Sequence, residues 1–353
     1  MRFEARHAAT PRVDVVIPCY NYGRYLRQCV DSVLTQPVPV RVLVIDDASP
    51  DGSGEVAEHM ARGDARVTVI RHRTNHGHIR TYNEGIEWTA AEYMLLLSAD
   101  DYLLPGALGR ATSLMDERPD VTFSFGRTKD LIDPGPETCV NPLTDAAFRA
   151  VLGESDSRII GGAQFVRLIA DTRTINIVRT PTAVVRTTVQ KRVGGYRPEL
   201  PHAGDLEMWL RLAAYGSVGI IGHHQAVWRV HGRNMHRAYA GDRQLADLEQ
   251  RKAAVDAVFL AAESPFHGDT TLHRALLSPL AEDALAHADG AVDDGNATLS
   301  ERMTDFALRT NPRVRSTVRW WRVRAKQHVG VDGSRRVSTW LARVRRLGVF
   351  ASR

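Results

Sequence analysis

The sequence contains no run of about eighteen apolar residues, the length a membrane-spanning helix needs. Its first residues, Met1–Thr10, lack the apolar core of a secretory signal. Cysteine is scarce: Cys19, Cys29 and Cys139 are odd in number and without metal-type pairing, which argues against a disulfide framework. The first strand candidate runs into Pro18-Cys19-Tyr20-Asn21-Tyr22-Gly23 where a dinucleotide-dependent oxidoreductase would carry Gly-x-Gly-x-x-Gly. No internal repeat or low-complexity segment stands out. These absences lead us to expect a cytoplasmic protein.

What is present is enough apolar material, 43% of 353 residues, for one large domain and an accessory region. The net charge of +5 is unevenly spread. Residues 313–353 hold twelve Lys or Arg and a single acid, Asp332, about +11. Residues 1–312 keep 34 basic and 40 acidic side chains, about −6. The basic character therefore belongs to the tail.

Val13–Pro18, Val40–Ile45, Val67–Ile70 and Tyr93–Leu97 read as strands, alternating with helical spacing over Tyr25–Leu34, from Ser53 as a cap to about Arg62, and over His78–Ala90. That alternation calls for an α/β fold with a mostly parallel, doubly wound sheet. Val121–Phe125 continues it. Asp130–Ser157, rich in Asp, Pro and Gly, reads as an irregular loop region. Thr182–Arg186 reads as a returning strand, Asp205–Tyr215 as a helix, and Val218–Ile221 and Val227–Val230 as two short strands. Helices then follow over about Arg243–Ala262, Leu272–Asp289 and Leu299–Thr310. The expected division is 1–240 for the main domain, 241–312 for a helical accessory region and 313–353 for the tail.

The most informative stretch is Glu92–Gly106. The apolar run Tyr93–Leu97 ends directly in Ser98, Ala99, Asp100 and Asp101, and Pro105 is placed to open a helix to Asp116. Ligands of open α/β sheets bind outside the carboxyl ends of strands. Two adjacent carboxylates there either hold a divalent cation or start a turn and cap the next helix.

The tail reads as two basic amphipathic helices, one with Val314, Val318, Trp321 and Ala325 on a face, the other with Val337, Trp340, Leu341, Val344 and Leu347. Such stripes either pack on the body or lie on an anionic membrane surface, which would make the protein peripheral on the inner face of the membrane. No nucleic-acid module accompanies them, so no nucleic-acid partner is expected.

Four segments then fall into a series: Val-Val-Ile-Pro-Cys-Tyr-Asn at 15–21, Val-Ile-Asp-Asp-Ala-Ser-Pro-Asp-Gly-Ser at 44–53, Leu-Ser-Ala-Asp-Asp-Tyr-Leu-Leu-Pro at 97–105, and Gly-Asp-Leu-Glu-Met-Trp-Leu-Arg-Leu at 204–212. Trp-Arg-Val-His-Gly-Arg-Asn-Met-His at 228–236 follows them. Over about residues 12–236 the chain resembles the family 2 glycosyltransferases of the GT-A fold. The resemblance implies transfer of a sugar, with inversion, from a nucleotide-diphosphate donor, expected to be UDP-linked, to an acceptor hydroxyl on a cell-envelope glycan, a glycolipid or a small metabolite. It implies that Asp47 accepts a hydrogen bond from the base and that Pro18 and Tyr20 border it. Asp100 and Asp101 would bind ribose and a Mg2+ or Mn2+ ion, with Ser98 and Ala99 in the same turn and His231 near the metal. Asp205 would be the general base.

The chain departs from that pattern in two places: Ser98 stands where the family commonly has Asp, and Gly204 where it often has Glu. Glu207 competes with Asp205 as base, although two positions along a helix point it elsewhere. The Gln-x-x-Arg-Trp signature of processive synthases is missing, so one sugar per acceptor is expected. Arg80 and Asn83 are further donor-site candidates, and Arg71 or Arg80 reaches either the diphosphate or solvent. His72, His76 and His78 read as capping or solvated, and Trp209 and Trp228 as core. The competing reading is a non-catalytic scaffold of the same fold at a membrane.

Overall fold

In a computed structural model, the structure describes residues 10–133, 137–138, 142–232 and 243–329. Cys139 and the second tail helix lie outside them.

The chain begins with β1 (Val13–Cys19), α1 (Gly23–Leu34), β2 (Val40–Asp46), α2 (Ser53–Gly63), β3 (Val67–Arg71), α3 (His78–Trp88) and β4 (Tyr93–Leu96). These strands pair in parallel in the order β3-β2-β1-β4. Both faces of β1 are covered, which is why it reads as an almost unbroken apolar run. Val13, Val15 and Ile17 face one core with Leu26, Val30 and Val33 of α1, while Val16 faces the other with Ile86 of α3. Gly85 makes that second contact possible: a Cβ there would stand 2.1 Å from Val16 Cγ1. The buried Asp14 is satisfied by Arg41 (2.9 and 2.8 Å) and by the N–H groups of Ala90 and Ala91.

There follow β5 (Tyr102–Leu103), α4 (Ala107–Glu117), β6 (Val121–Ile132), β7 (Glu137–Thr138), α5 (Pro142–Leu152), β8 (Ser157–Gly161) and α6 (Gly162–Asp171). Next are β9 (Val184–Arg186), α7 (Thr187–Val193), α8 (Gly204–Ala213) and β10 (Ser217–Val230). The strand β9 returns antiparallel between β4 and β6, and β10 runs parallel to β6. The short β5 and β8 pair antiparallel with β10. The sheet is thus mostly parallel and flanked by helices, the arrangement expected. Since β2 lies on one side of β1 and β4 on the other, a crevice opens between the ends of β1 and β4.

Several local expectations are corrected. The span 130–157 is not one irregular loop: β6 runs to Ile132, and β7, α5 and the start of β8 lie within it. The two short strands near the end of the domain are one, β10, whose register shifts near Ile221–Ala226 break the alternation. Ser53 does not cap α2. Gly52, left-handed at φ 82°, holds that position, and Asp51 accepts from the Ser53 N–H. Pro105 likewise precedes a left-handed Gly106 (φ 76°), so α4 begins at Ala107.

Then come α9 (Gln244–Phe259), α10 (Thr270–Asp293), α11 (Ala297–Thr310) and α12 (318–329). Leu245, Leu248, Val255, Leu276 and Leu280 join the same apolar cluster as Phe165 of α6 and Trp209 of α8. The tail helix α12 packs through a different face from the expected one. Trp320, Val323 and Lys326 are buried, while Val318 and Trp321 are 63% and 66% exposed and Ala325 is exposed too. Of the expected stripe only Val314 packs. Lys326 accounts for the rotation: its ammonium, inside the body, bridges Asp289 (2.9 Å) and Asp293 (2.7 Å).

Candidate active site

The crevice deepens into a cavity of about 1040 Å³. Its walls come from the loops after β1, β2 and β4, the first turns of α3 and α8, the segment before β9, and the inner face of α9.

After β1, Pro18, Tyr20 and Tyr22 border the cavity, and Asn21 takes a left-handed conformation (φ 62°). After β2, Ala48 does the same (φ 61°), and the two loops are tied by Asn21 N–H to Ser49 Oγ at 3.0 Å. Left-handed backbone in two non-glycine residues is costly and sits at the mouth of the crevice. Asp47 lines the cavity, with its carboxylate already engaged. Oδ1 meets His72 Nδ1 and the His76 N–H, both at 2.7 Å, and Oδ2 accepts from the Gly77 N–H at 2.9 Å. Burial pushes this carboxyl up, but the hydrogen bonds from His72, His76 and Gly77 outweigh it and hold it below its ordinary value. His72 is therefore no surface residue. Its Nε2 meets Glu84 at 2.7 Å, and the two carboxylates raise its pKa against the opposing effect of burial. Arg71 ion-pairs with Glu55, Glu58 and Asp46 and is not part of the cavity lining.

After β4, the turn Ser98–Asp101 brings Asp100 and Asp101 to the cavity, with Ala99 fully buried beneath. One oxygen of Asp101 accepts the Arg229 N–H at 2.8 Å. The Arg229 side chain reaches back to the Asp100 carbonyl, also at 2.8 Å. Burial first, and the neighbouring Asp100 charge second, push the Asp101 carboxyl well above its ordinary value. His231 Nε2 lies 3.1 Å from Asp100 Oδ2, packed against Tyr22 and Tyr25, and stands behind Asp100 instead of on the cavity wall. The excess of buried negative charge at this turn suits a cation. Asp100 and the second oxygen of Asp101 are the groups that can reach one, and Mg2+ typically uses one or two carboxylates plus substrate phosphates. His, Asp and Glu ligand atoms also converge elsewhere: among the described residues, those of Asp47, His72 and His76 lie within 4.8 Å of one another. There, however, both His72 nitrogens are already bound to carboxylates.

On the opposite wall, Asp205 sits in the first turn of α8. Thr180 Oγ1 donates to its Oδ2 at 3.0 Å, and Tyr196 makes a second hydrogen bond. Burial raises its pKa; those two hydrogen bonds and the charges of His78 and His202 pull the other way without cancelling the rise. Gly204 is what lets Tyr196 lie so close, since a Cβ there would meet the ring at 3.2 Å. Glu207 faces away from the cavity: it is fully buried between Arg197 and Arg211, each at 2.9 Å.

The remaining candidates divide. Arg80 is exposed and outside the cavity lining. Asn83 does not line it either; it clamps the Tyr196 backbone with bonds of 2.6 and 2.9 Å. Trp209 is core, but Trp228 lines the cavity. Also on the wall and not singled out in the sequence are Arg179, Thr180, Tyr82 and Tyr196, together with Asp247 and Arg251 from α9. The signal for Arg179 and Thr180 was the Arg-Thr-Pro-Thr turn entering the returning strand.

Residues 14–138, which hold the β1, β2 and β4 loops, match the sequence profile of glycosyl transferase family 2. Over that third of the chain the sequence is that of a family 2 glycosyl transferase. The chain is 35% identical over 103 residues to the uncharacterized glycosyltransferase EpsJ of Bacillus subtilis (29% of this chain, 30% of the relative). It is 28% identical over 223 residues to the uncharacterized protein MT1568 of Mycobacterium tuberculosis (63% and 68%). It thus spans under a third of EpsJ. Among solved structures, S. aureus TarS 1-349 in complex with UDP-GlcNAc superposes with a TM-score of 0.64 at 18% identity, over 96% of this chain and 92% of that one. The mannosyltransferase PcManGT of Pyrobaculum calidifontis, in complex with GDP-Man and Mn2+, gives 0.50 at 17%, over 86% of each. These likenesses identify the GT-A fold.

Proposed function

We propose that this family 2 protein is an inverting glycosyltransferase that moves one sugar from a UDP-linked donor to an acceptor hydroxyl. The observation that carries the reading is the placement of Asp205 on the same cavity as Asp100 and Asp101, with a carboxyl whose pKa burial raises. The acceptor oxygen bonds to the anomeric carbon, the bond from that carbon to the diphosphate breaks, and the acceptor proton passes to Asp205. A raised pKa makes Asp205 the better proton acceptor, and Thr180 and Tyr196 fix its orientation. Glu207, spent on two arginines, is not available for this role.

On the donor side, Pro18, Tyr20, Ser98 and Asp100 shape the nucleotide pocket, and Asp47 holds the 72–77 loop against it. Mg2+ or Mn2+ would be held by Asp100 and Asp101, with His231 fixing Asp100, and would neutralise the leaving diphosphate. TarS with UDP-GlcNAc and PcManGT with GDP-Man and Mn2+ support a nucleotide-sugar donor. The partner of the exposed α12 face is an anionic membrane surface: Val318, Trp321 and Ala325 lie outward beside the exposed Arg315, Arg319 and Arg324.

Calorimetric titration of UDP with and without Mn2+, on wild type and Asp100→Ala, tests the donor site. Metal-dependent binding that Asp100→Ala abolishes is expected. Failure of UDP, GDP and dTDP alike on folded protein would overturn the transferase reading.

A further inference from the structure

The cavity wall between the acidic turn and the base carries a guanidinium that the reading above does not use. Arg179 precedes the short 3-10 turn Thr180–Thr182, in which Pro181 fixes its own φ and restricts Thr180. Its guanidinium carbon lies 4.0 Å from the centre of the Trp228 ring, so its plane is held by a cation–π contact. Burial disfavours its charge, and Asp130, Asp101 and Asp205, in that order, support it. Among the described residues, no hydrogen bond is made by its five N–H donors. Charged donors held in a fixed plane at a cavity wall, without an acceptor, are costly unless something fills them.

Resting on the transferase reading, we infer that Arg179, held flat by Trp228, is a donor-recognition residue whose fork binds an oxyanion of the nucleotide sugar. A fork of parallel N–H groups matches the two oxygens of a phosphate or a carboxylate, which a lysine meets only as a point charge. The position, within electrostatic reach of both Asp101 and Asp205, is where the anomeric end of the donor must pass. Two parts of a donor carry such a group: the β-phosphate of the diphosphate, and a carboxylate on the transferred sugar when that sugar is a uronic acid.

The test is calorimetric, with Mn2+ present, using UMP, UDP, UDP-glucose and UDP-glucuronic acid against wild type, Arg179→Lys and Arg179→Gln. If the fork holds the β-phosphate, Arg179→Gln weakens UDP and both UDP-sugars at least tenfold and leaves UMP unchanged. If it holds a sugar acid, wild type prefers UDP-glucuronic acid to UDP-glucose, and the substitution removes that preference while UDP binds as before. Arg179→Lys falls between wild type and Arg179→Gln in either case, and decides the matter alone if the Gln variant does not fold. Variants that bind all four ligands as wild type does reduce Arg179 to packing on Trp228 and overturn the inference alone. A wild type that binds none of the four overturns the UDP-linked donor on which this inference rests and the inference with it, while the transferase reading falls only if GDP and dTDP fail as well.

Discussion

Two carboxylates in the first turn of α8, Asp205 and Glu207, should respond oppositely to removal of their charge. Glu207→Gln leaves Arg211 and Arg197 without the carboxylate that each meets at 2.9 Å. The Arg211 side chain is 13% exposed and that of Arg197 32%, so Arg211 bears most of the loss and water partly repays Arg197. Breaking a buried pair costs about 3–5 kcal/mol. Discounting for exposure leaves about 3 kcal/mol, a fall in melting temperature on the order of 5 °C for a chain of this size. Asp205→Asn removes a charge that burial already disfavours, while the amide oxygen keeps the Thr180 hydrogen bond. Its melting temperature should equal or exceed that of wild type, UDP binding should persist, and transfer should drop by about 10²–10⁴-fold. The pH dependence carries the sign. A carboxyl whose folded pKa is raised favours folding when protonated, and that contribution is lost as pH rises from its unfolded value of about 3.9 through the folded one. The advantage of Asp205→Asn over wild type should therefore grow across that window and stay constant above it. Thermal melts from pH 4 to 8 on both variants decide the matter. If Asp205→Asn melts as low as Glu207→Gln at neutral pH, Asp205 is a structural carboxylate and the assignment of the base fails.

Three further outcomes are expected. Val318→Ser with Trp321→Ser should weaken sedimentation with phosphatidylglycerol vesicles at least tenfold, and added salt should weaken the wild type; equal binding by both proteins would exclude this face as the contact. Lys326→Ala removes the buried ammonium that ties α12 to Asp289 and Asp293, while Asp289 keeps Arg322 at 2.7 Å, so α12 should loosen by about 1–3 kcal/mol and limited proteolysis should cut near residue 317 first. His72, raised by Asp47 and Glu84, contributes stability that is complete below its unfolded pKa of about 6.5 and lost as pH climbs through the higher folded value. His72→Asn should flatten the melting profile in that range, and an unchanged slope would place the titration elsewhere.

The central strands were legible in the sequence because β1, β2 and β4 are buried on both faces, where apolar runs are obligatory. Asp100, Asp101 and Asp205, which the fold brings to one cavity, stand inside motifs that the sequence already displays. The span 130–157 was not: β7 and β8 are short edge strands, and edges tolerate the Asp, Pro and Gly that mimic a loop. The shifts near Ile221–Ala226 hid the continuity of β10, because a bulge interrupts the period on which strand reading relies. In α12, periodicity exposed an apolar face but could not say that the buried one would include a lysine, since Lys326 depends on Asp289 and Asp293 more than thirty residues earlier. Arg179 and Trp228 were missed for a related reason: a side chain's outlook on a cavity is settled by the elements that face it, and those lie far apart along the chain.

The inner face of α9 closes one wall of the cavity. His202 meets Asp247 at 2.7 Å, and Arg251 grips the carbonyls of Arg173 and Thr174 at 2.6 and 3.1 Å. The helical region therefore behaves as a removable die set against a fixed press. Substitutions along α9 reshape one side of the chamber while the strand ends, with their carboxylates, stay as they are. Cutting the chain ahead of α9 would leave the chamber open on that side and bare the apolar cluster that Leu245, Leu248 and Val255 share with Phe165 and Trp209.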